Sequence, residues 1–265
     1  MELIAKVSKG SKMDQIYIPK NREGFSIGNY VLIKPLENVQ GKKRISPFFY
    51  NTGKIEPIKI IIINKLFELI EKKVKNENII ITGSFLENGF DFKDIDILII
   101  GQERSISKEI ENAFGIKMHL IFLSHNALLN GYLTNPLYRL MLSKFVAKKR
   151  ILLKETREIK YKILDLQLLK SKTLIDNYNL LNGQEKYYLT RNMLVILLFL
   201  QCKRINNKEV NKNIEEILGI KTENLKQNKT NAKFLKNYKN AYNFVFSLIL
   251  KSIKNSDGAK QKQAY

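Results

Sequence analysis

The chain has 265 residues, one cysteine and a net charge of +21, from 46 Lys and Arg against 25 Asp and Glu. That length suits one large domain or two modest ones with a real core, and a lone Cys202 excludes an intramolecular disulfide, as fits a reducing cytosol. The longest apolar run, Met193 to Leu200, falls well short of the ~20 residues a bilayer span needs, and the first residues lack a hydrophobic signal core, so a soluble cytoplasmic protein with no membrane partner is expected.

The charge is unevenly spread. Residues 1–54 carry 10 basic and 4 acidic side chains, 55–155 carry 15 and 12, and 156–265 carry 21 and 9. Basic flanks around a nearly neutral middle point to a nucleic-acid or phosphate-rich partner. A composition rich in Lys, Ile and Asn accounts for the same excess without one.

Residues 1–36 are short alternating runs broken by Gly and Pro, which predicts a small β-module, and 36–57 have the Gly, Pro, Asn and Lys content of a linker. From Pro57 the period changes: Ile60, Ile63, Phe67, Ile70 and Val74 recur at helical spacing, with Pro57 suited to a first turn. A strand is predicted at 79–82, then the Gly83–Ser84 turn, then a strand at 94–100. A helix at 105–114 ends at Gly115, a third strand spans 116–123, a helix lies near 124–147, and a short apolar strand covers 150–153. Beyond 156 only helices are read: Ile159, Ile163, Leu166, Leu174, Tyr178 and Leu181 mark the first, with others near 184–204, 208–218 and 231–254, before a tail that reads as disordered.

The expected class is therefore α+β in four parts: a β-module with linker (1–54), a mixed sheet with helices (55–155), a helical accessory domain (156–256) and a flexible tail (257–265). Tyr187, Tyr188, Met193, Leu194, Leu197, Leu198 and Phe199 read as core of the helical part.

Asp94 and Asp96 interrupt an otherwise apolar strand, and a carboxylate enters such a strand only with compensation. Alternate strand residues share a face, so the pair point the same way about 6.6 Å apart along the backbone. Two carboxylates so placed suit a divalent cation such as Mg²⁺, which prefers oxygen ligands. Upstream, Gly83 lets the backbone approach an anion closely, and Ser84 adds a hydroxyl at a helix start. Together they describe a site for a metal-bound NTP. A plainer reading is an N-cap serine and two solvated strand-end acids.

Gly83-Ser84, nine residues, then Asp94-Ile95-Asp96 with apolar residues after it resembles the signature of the DNA polymerase β-type nucleotidyltransferase superfamily, nearest to its minimal nucleotidyltransferases, over roughly 57–155. The resemblance implies a polymerase β-like mixed sheet, phosphate binding by Gly83 and Ser84, and Mg²⁺ (or Mn²⁺) on Asp94 and Asp96. It implies transfer of NMP from an NTP to a hydroxyl of a macromolecular acceptor, RNA (tRNA especially) or protein, with release of pyrophosphate. The family usually adds a third carboxylate on the next strand, where this chain has His119. Neutral imidazole ligates metals and accepts protons, so His119 stands as a candidate catalytic residue. A core histidine in a member without chemistry is the other reading, which makes the chain a catalytically inactive regulator that binds nucleic acid and NTP. Asp91, in the loop before the pair, is a further candidate acid.

Ile16-Tyr17-Ile18-Pro19-Lys20, Arg22 and Ile27-Gly28-Asn29-Tyr30-Val31 are similar to the swapped-hairpin fold of AbrB-type regulators, short of about three residues between Lys20 and Gly28. That likeness implies a homodimer with Lys9, Lys12, Lys20 and Arg22 facing DNA or RNA. In the helical part, Lys203, Arg204, Lys208 and Lys212 form a second basic group able to cradle an acceptor. The histidines, His119 and His125, precede that part, which excludes the HEPN-type ribonuclease motif that often accompanies minimal nucleotidyltransferases.

Overall fold

The computed structural model describes residues 7–8, 11, 15–16 and 46–261, with side chains to 253. The chain divides into two units, Met1–Arg44 and Ile45–Tyr265. In the first, strands β1 (Val7–Ser8) and β2 (Gln15–Ile16) pair antiparallel, Val7 opposite Ile16. Lys9, Lys12, Lys20 and Arg22, on which the AbrB likeness and its dimer rest, lie outside the described residues.

The second unit is a mixed α/β structure. Its sheet has the order β3-β7-β4-β5-β6, from β3 (Phe48–Tyr50), β4 (Asn76–Thr82), β5 (Asp94–Gly101), β6 (Lys117–Leu123) and β7 (Phe145–Ala147). β5 and β6 run parallel and every other pairing is antiparallel. Strand alternation divides the apolar residues between two faces. Ile79 and Ile81 of β4 and Ile95, Ile97 and Ile99 of β5 pack beneath helices α1 (Pro57–Lys73) and α2 (Ser107–Phe114). Ile80, Leu98, Ile100, Phe145 and Ala147 face the other way, with Leu128 of α3 (His125–Thr134) among them.

Helix α1 begins at Pro57 as its spacing requires and buries Ile63, Phe67 and Ile70, while α2 stops at Gly115, whose φ of +64° forms a left-handed cap. The helix expected near 124–147 is instead two, α3 and α4 (Pro136–Met141). Asn135 stands between them in extended conformation, because a residue ahead of proline is driven out of the helical region. After α4 the chain enters β7. The strand expected at 150–153 does not form. That segment is tied down by side chains, the Ile151 N–H donating to the Tyr50 hydroxyl at 2.8 Å and Asn78 bridging the N–H and C=O of Lys149 at 2.9 and 3.0 Å. Residues 46–50, expected in the linker, carry strand β3, which pairs with β7 of the sheet.

Helices α5 (Tyr161–Asp176), α6 (Gly183–Leu200), α7 (Asn207–Leu218), α8 (Thr222–Lys226) and α9 (Ala232–Gln261) share a second core around Leu164, Leu168, Met193–Phe199, Val210, Ile214, Tyr238 and Val245. The apolar stripe of α5 is rotated from the expected one, since Leu166 is exposed and Leu164 and Leu168 are buried. Tyr188 is exposed beneath the Arg191 guanidinium and not in the core, and α9 continues through Gln261, where a disordered tail was expected.

Two arginines join the sheet to the helices. Arg139 donates to the carbonyls of Glu155 and Thr156 while its guanidinium lies over Tyr132. Arg157 donates to Leu198 O and Phe199 O at 3.1 and 2.9 Å and to Lys203 O, adding a charged donor to two carbonyls at the end of α6 that already accept from the Lys203 and Cys202 N–H groups. Arg157→Ala is expected to lower stability by about 2 kcal/mol, as for loss of a charged multidentate donor, and Arg157→Lys to recover only part of it in denaturant unfolding.

Candidate functional site

Cross-strand register builds the site. Thr82 of β4 lies opposite Asp96 of β5, and Asp96 opposite His119 of β6, while one step earlier Asp94 lies opposite Lys117. Thr82 is also opposite Phe145, and Phe145 opposite Tyr50. A single row thus crosses the sheet from a stacked aromatic pair, Tyr50 and Phe145 with centroids 4.3 Å apart, through Thr82 to Asp96 and His119. Leu98 and Ile100 continue the Asp94–Asp96 side of β5 into the packed face that holds Leu128, so the aspartates occupy the half-exposed end of that face. The two acids on a hydrophobic strand are reconciled by this position.

His119 Nδ1 and Asp96 Oδ1 are 3.0 Å apart, and the imidazole is 62% exposed. The core-histidine reading is corrected by that exposure: His119 is a surface group whose ring is oriented by a carboxylate. Asp91 is exposed in the preceding loop, outside the row.

The Gly83–Ser84 turn presses directly on Asp96. Gly83 has φ +84° and ψ −164°, and a Cβ built there would stand 2.2 Å from Asp96 Oδ2, so any larger residue is barred by backbone strain and collision together. A single 3-10 turn follows (Ser84–Leu86), burying Phe85 and Leu86. Thr82 fixes the approach, its hydroxyl lying 3.1 Å from Lys144 O and within hydrogen-bonding distance of Met141 O. Lys144 crosses to Glu87 in an ion pair at 2.6 Å.

Among the described residues no group of three or more His, Cys, Asp or Glu is disposed to hold a metal ion. Mg²⁺ in nucleotide sites is commonly held by one or two carboxylates together with substrate phosphates. Asp94 and Asp96 match that donor set, and the bare Gly83 backbone leaves the space that the Asp96 carboxylate occupies. The residues present therefore fit such an ion.

One important residue is missed by sequence reasoning. Lys59 of α1 is wholly buried, pairs with Glu56 at 3.0 Å, and donates to the carbonyls of Glu87 and Gly89 in the loop leading to Asp94. Its signal is positional: Lys59 falls four residues before Ile63, on the apolar stripe of α1. Glu56 Oε1 accepts from the Gly89 N–H at 2.6 Å. That bond first, then the residue's own N–H and Lys59, hold the Glu56 carboxyl at about 2 against an ordinary 4.5.

A carboxyl lowered on folding adds stability that is complete above its unfolded value and fades as the pH falls through the folded one. The 87–93 loop is therefore expected to loosen between pH 4.5 and about 2, read by hydrogen exchange at its amides, with Glu56→Gln flattening the response. Gly83→Ala is expected to destabilise by more than about 1 kcal/mol, and the Gly83→Ala/Asp96→Ala pair by less than the sum of its singles in a double-mutant cycle, since Asp96 supplies the collision. Comparison of the chain with protein-family models, with curated proteins and with solved structures finds no match.

Proposed function

We propose that this protein is a Mg²⁺-dependent nucleotidyltransferase, which moves NMP from an NTP to a hydroxyl of an RNA or protein acceptor. The observation that carries the reading is the row in which Asp96 stands between Thr82 and His119 with Gly83 pressed against it. The likeness of Gly83-Ser84 and Asp94-Ile95-Asp96 to minimal nucleotidyltransferases supports it from the sequence side.

In this reading the amides at Gly83 and Ser84, with the Ser84 hydroxyl, hold the β- and γ-phosphates. Asp94 and Asp96 hold Mg²⁺, which when bound offsets charge on the transferred phosphoryl group. The acceptor oxygen forms a bond to the α-phosphorus as the bond to the β-phosphate bridging oxygen breaks, and pyrophosphate leaves. Asp96 fixes the His119 ring through Nδ1, which leaves Nε2 as the nitrogen able to take the acceptor proton. Basic residues remain for a polyanionic acceptor in the helical part, where Lys203, Arg204 and Lys208 are exposed and Lys212 pairs with Glu216.

A second reading, a nucleotide-sensing regulator without turnover, is favoured by one observation: the third position holds an exposed imidazole in place of a carboxylate. Incubation with each NTP radiolabelled at the α-phosphate, with Mg²⁺ or Mn²⁺ and total cellular RNA and protein, separates the two. Transfer of label is expected, reduced at least about a hundredfold by Asp94→Asn/Asp96→Asn. Binding of NTP with no label transferred from any nucleotide would establish the regulator instead.

A further inference from the structure

The loop between the Gly-Ser turn and Asp94 is held with unusual firmness. Gly89 has both backbone groups engaged, its N–H by Glu56 and its C=O by Lys59. Removing an ammonium from water costs several kcal/mol unless it is well partnered. Here the partners are Glu56, two carbonyls and the rings of Phe85, Phe90 and Phe92, whose centroids lie 5.7, 5.3 and 5.7 Å from Nζ. Phe85 and Phe92 pack edge to face inside this cluster, yet Phe90 stays 61% exposed.

Single exposed apolar residues are ordinary. Phe90 differs because its loop is fixed beneath it by a buried cation, so the ring is presented and not merely left over. An ammonium over an aromatic ring draws on its π density, which favours stacking of an electron-rich planar group on the remaining surface. Two exposed lysines lie at the same end of the sheet. Lys93 directly precedes Asp94, Lys117 is its register partner on β6, and neither has an ion pair among the described residues.

A fixed aromatic ring with unpaired cations is the combination by which proteins hold single-stranded nucleic acid, the ring stacking a base and the cations meeting phosphates. We propose that Phe90, with Lys93 and Lys117, forms the platform that receives the single-stranded end of an RNA acceptor. Its purpose rests on the nucleotidyltransferase reading; its binding does not. Lys93 and Lys117 outnumber Asp91, the exposed acid beside Phe90, which favours a phosphodiester chain over a peptide acceptor.

The test uses the full chain without NTP and a short single-stranded RNA carrying a terminal iodouridine, irradiated and mapped by peptide mass. The crosslink is expected in the peptide containing Phe90, to be lost in Phe90→Ala and kept in Phe90→Trp. Affinity for the same RNA, read by fluorescence anisotropy, is expected to fall about tenfold in Phe90→Ala. Lys93→Gln and Lys117→Gln are expected to make its salt dependence shallower. A crosslink mapping elsewhere in the wild-type protein, or none, overturns the platform whatever the affinity. Label passing from NTP to RNA with Phe90 uncrosslinked would leave the transferase and remove the platform. A Phe90 crosslink with no label transferred would do the reverse, and label entering protein alone would overturn the choice of RNA.

Discussion

The pairing of β5 with both of its neighbours is the constraint on which everything else depends. Antiparallel alignment with β4 sets Thr82 against Asp96, and parallel alignment with β6 sets His119 on its other side. A slip of one residue would turn Asp94 and Asp96 into the core beneath α1 and bring Ile95 and Ile97 to the surface. Ile95, Ile97 and Ile99, all fully buried, therefore fix the site as firmly as any polar contact within it. The catalytic candidates and the core are two readouts of one alternation.

The same alternation explains what was legible in the sequence. Helix α1, strands β4 to β6 and the Gly115 stop follow from period, proline and glycine, and the paired aspartates stand out because they violate the pattern around them. The three-residue strands β3 and β7 carry no period. Phe145, Val146 and Ala147 are all buried, so nothing alternates, and Phe48–Tyr50 sits amid residues of linker composition. β3 and β7 exist through pairing with a formed sheet, which no local signal records. Lys59 was hidden for a related reason: a lysine in a helix reads as solvent-facing until the carbonyls of a distant loop are brought over it.

Much of the basic excess is also structural. Arg139 and Arg157 bind backbone carbonyls, Lys186 is buried against Asn228 and the Tyr178 ring, and Lys148 pairs with Glu71. Cations that close helix ends are spent within the fold, and composition alone does not separate them from cations free to meet a phosphate. Lys93 and Lys117 differ from these four in having no ion pair among the described residues, and from the other unpaired cations in flanking Asp94 in sequence and in register.

Strand β6 ends the described sheet, with no strand beyond it. Its run Leu120-Ile121-Phe122-Leu123 is only half-buried, and an open strand edge of that character is a template for pairing with another copy. Lys117 and His119 stand exposed at its opening and are the polar residues that discourage such growth. The exposed imidazole beside Asp96 thus guards the edge whatever else it does. A variant carrying a large apolar side chain at position 119 loses solubility through edge-to-edge association, an effect independent of any chemistry at the site.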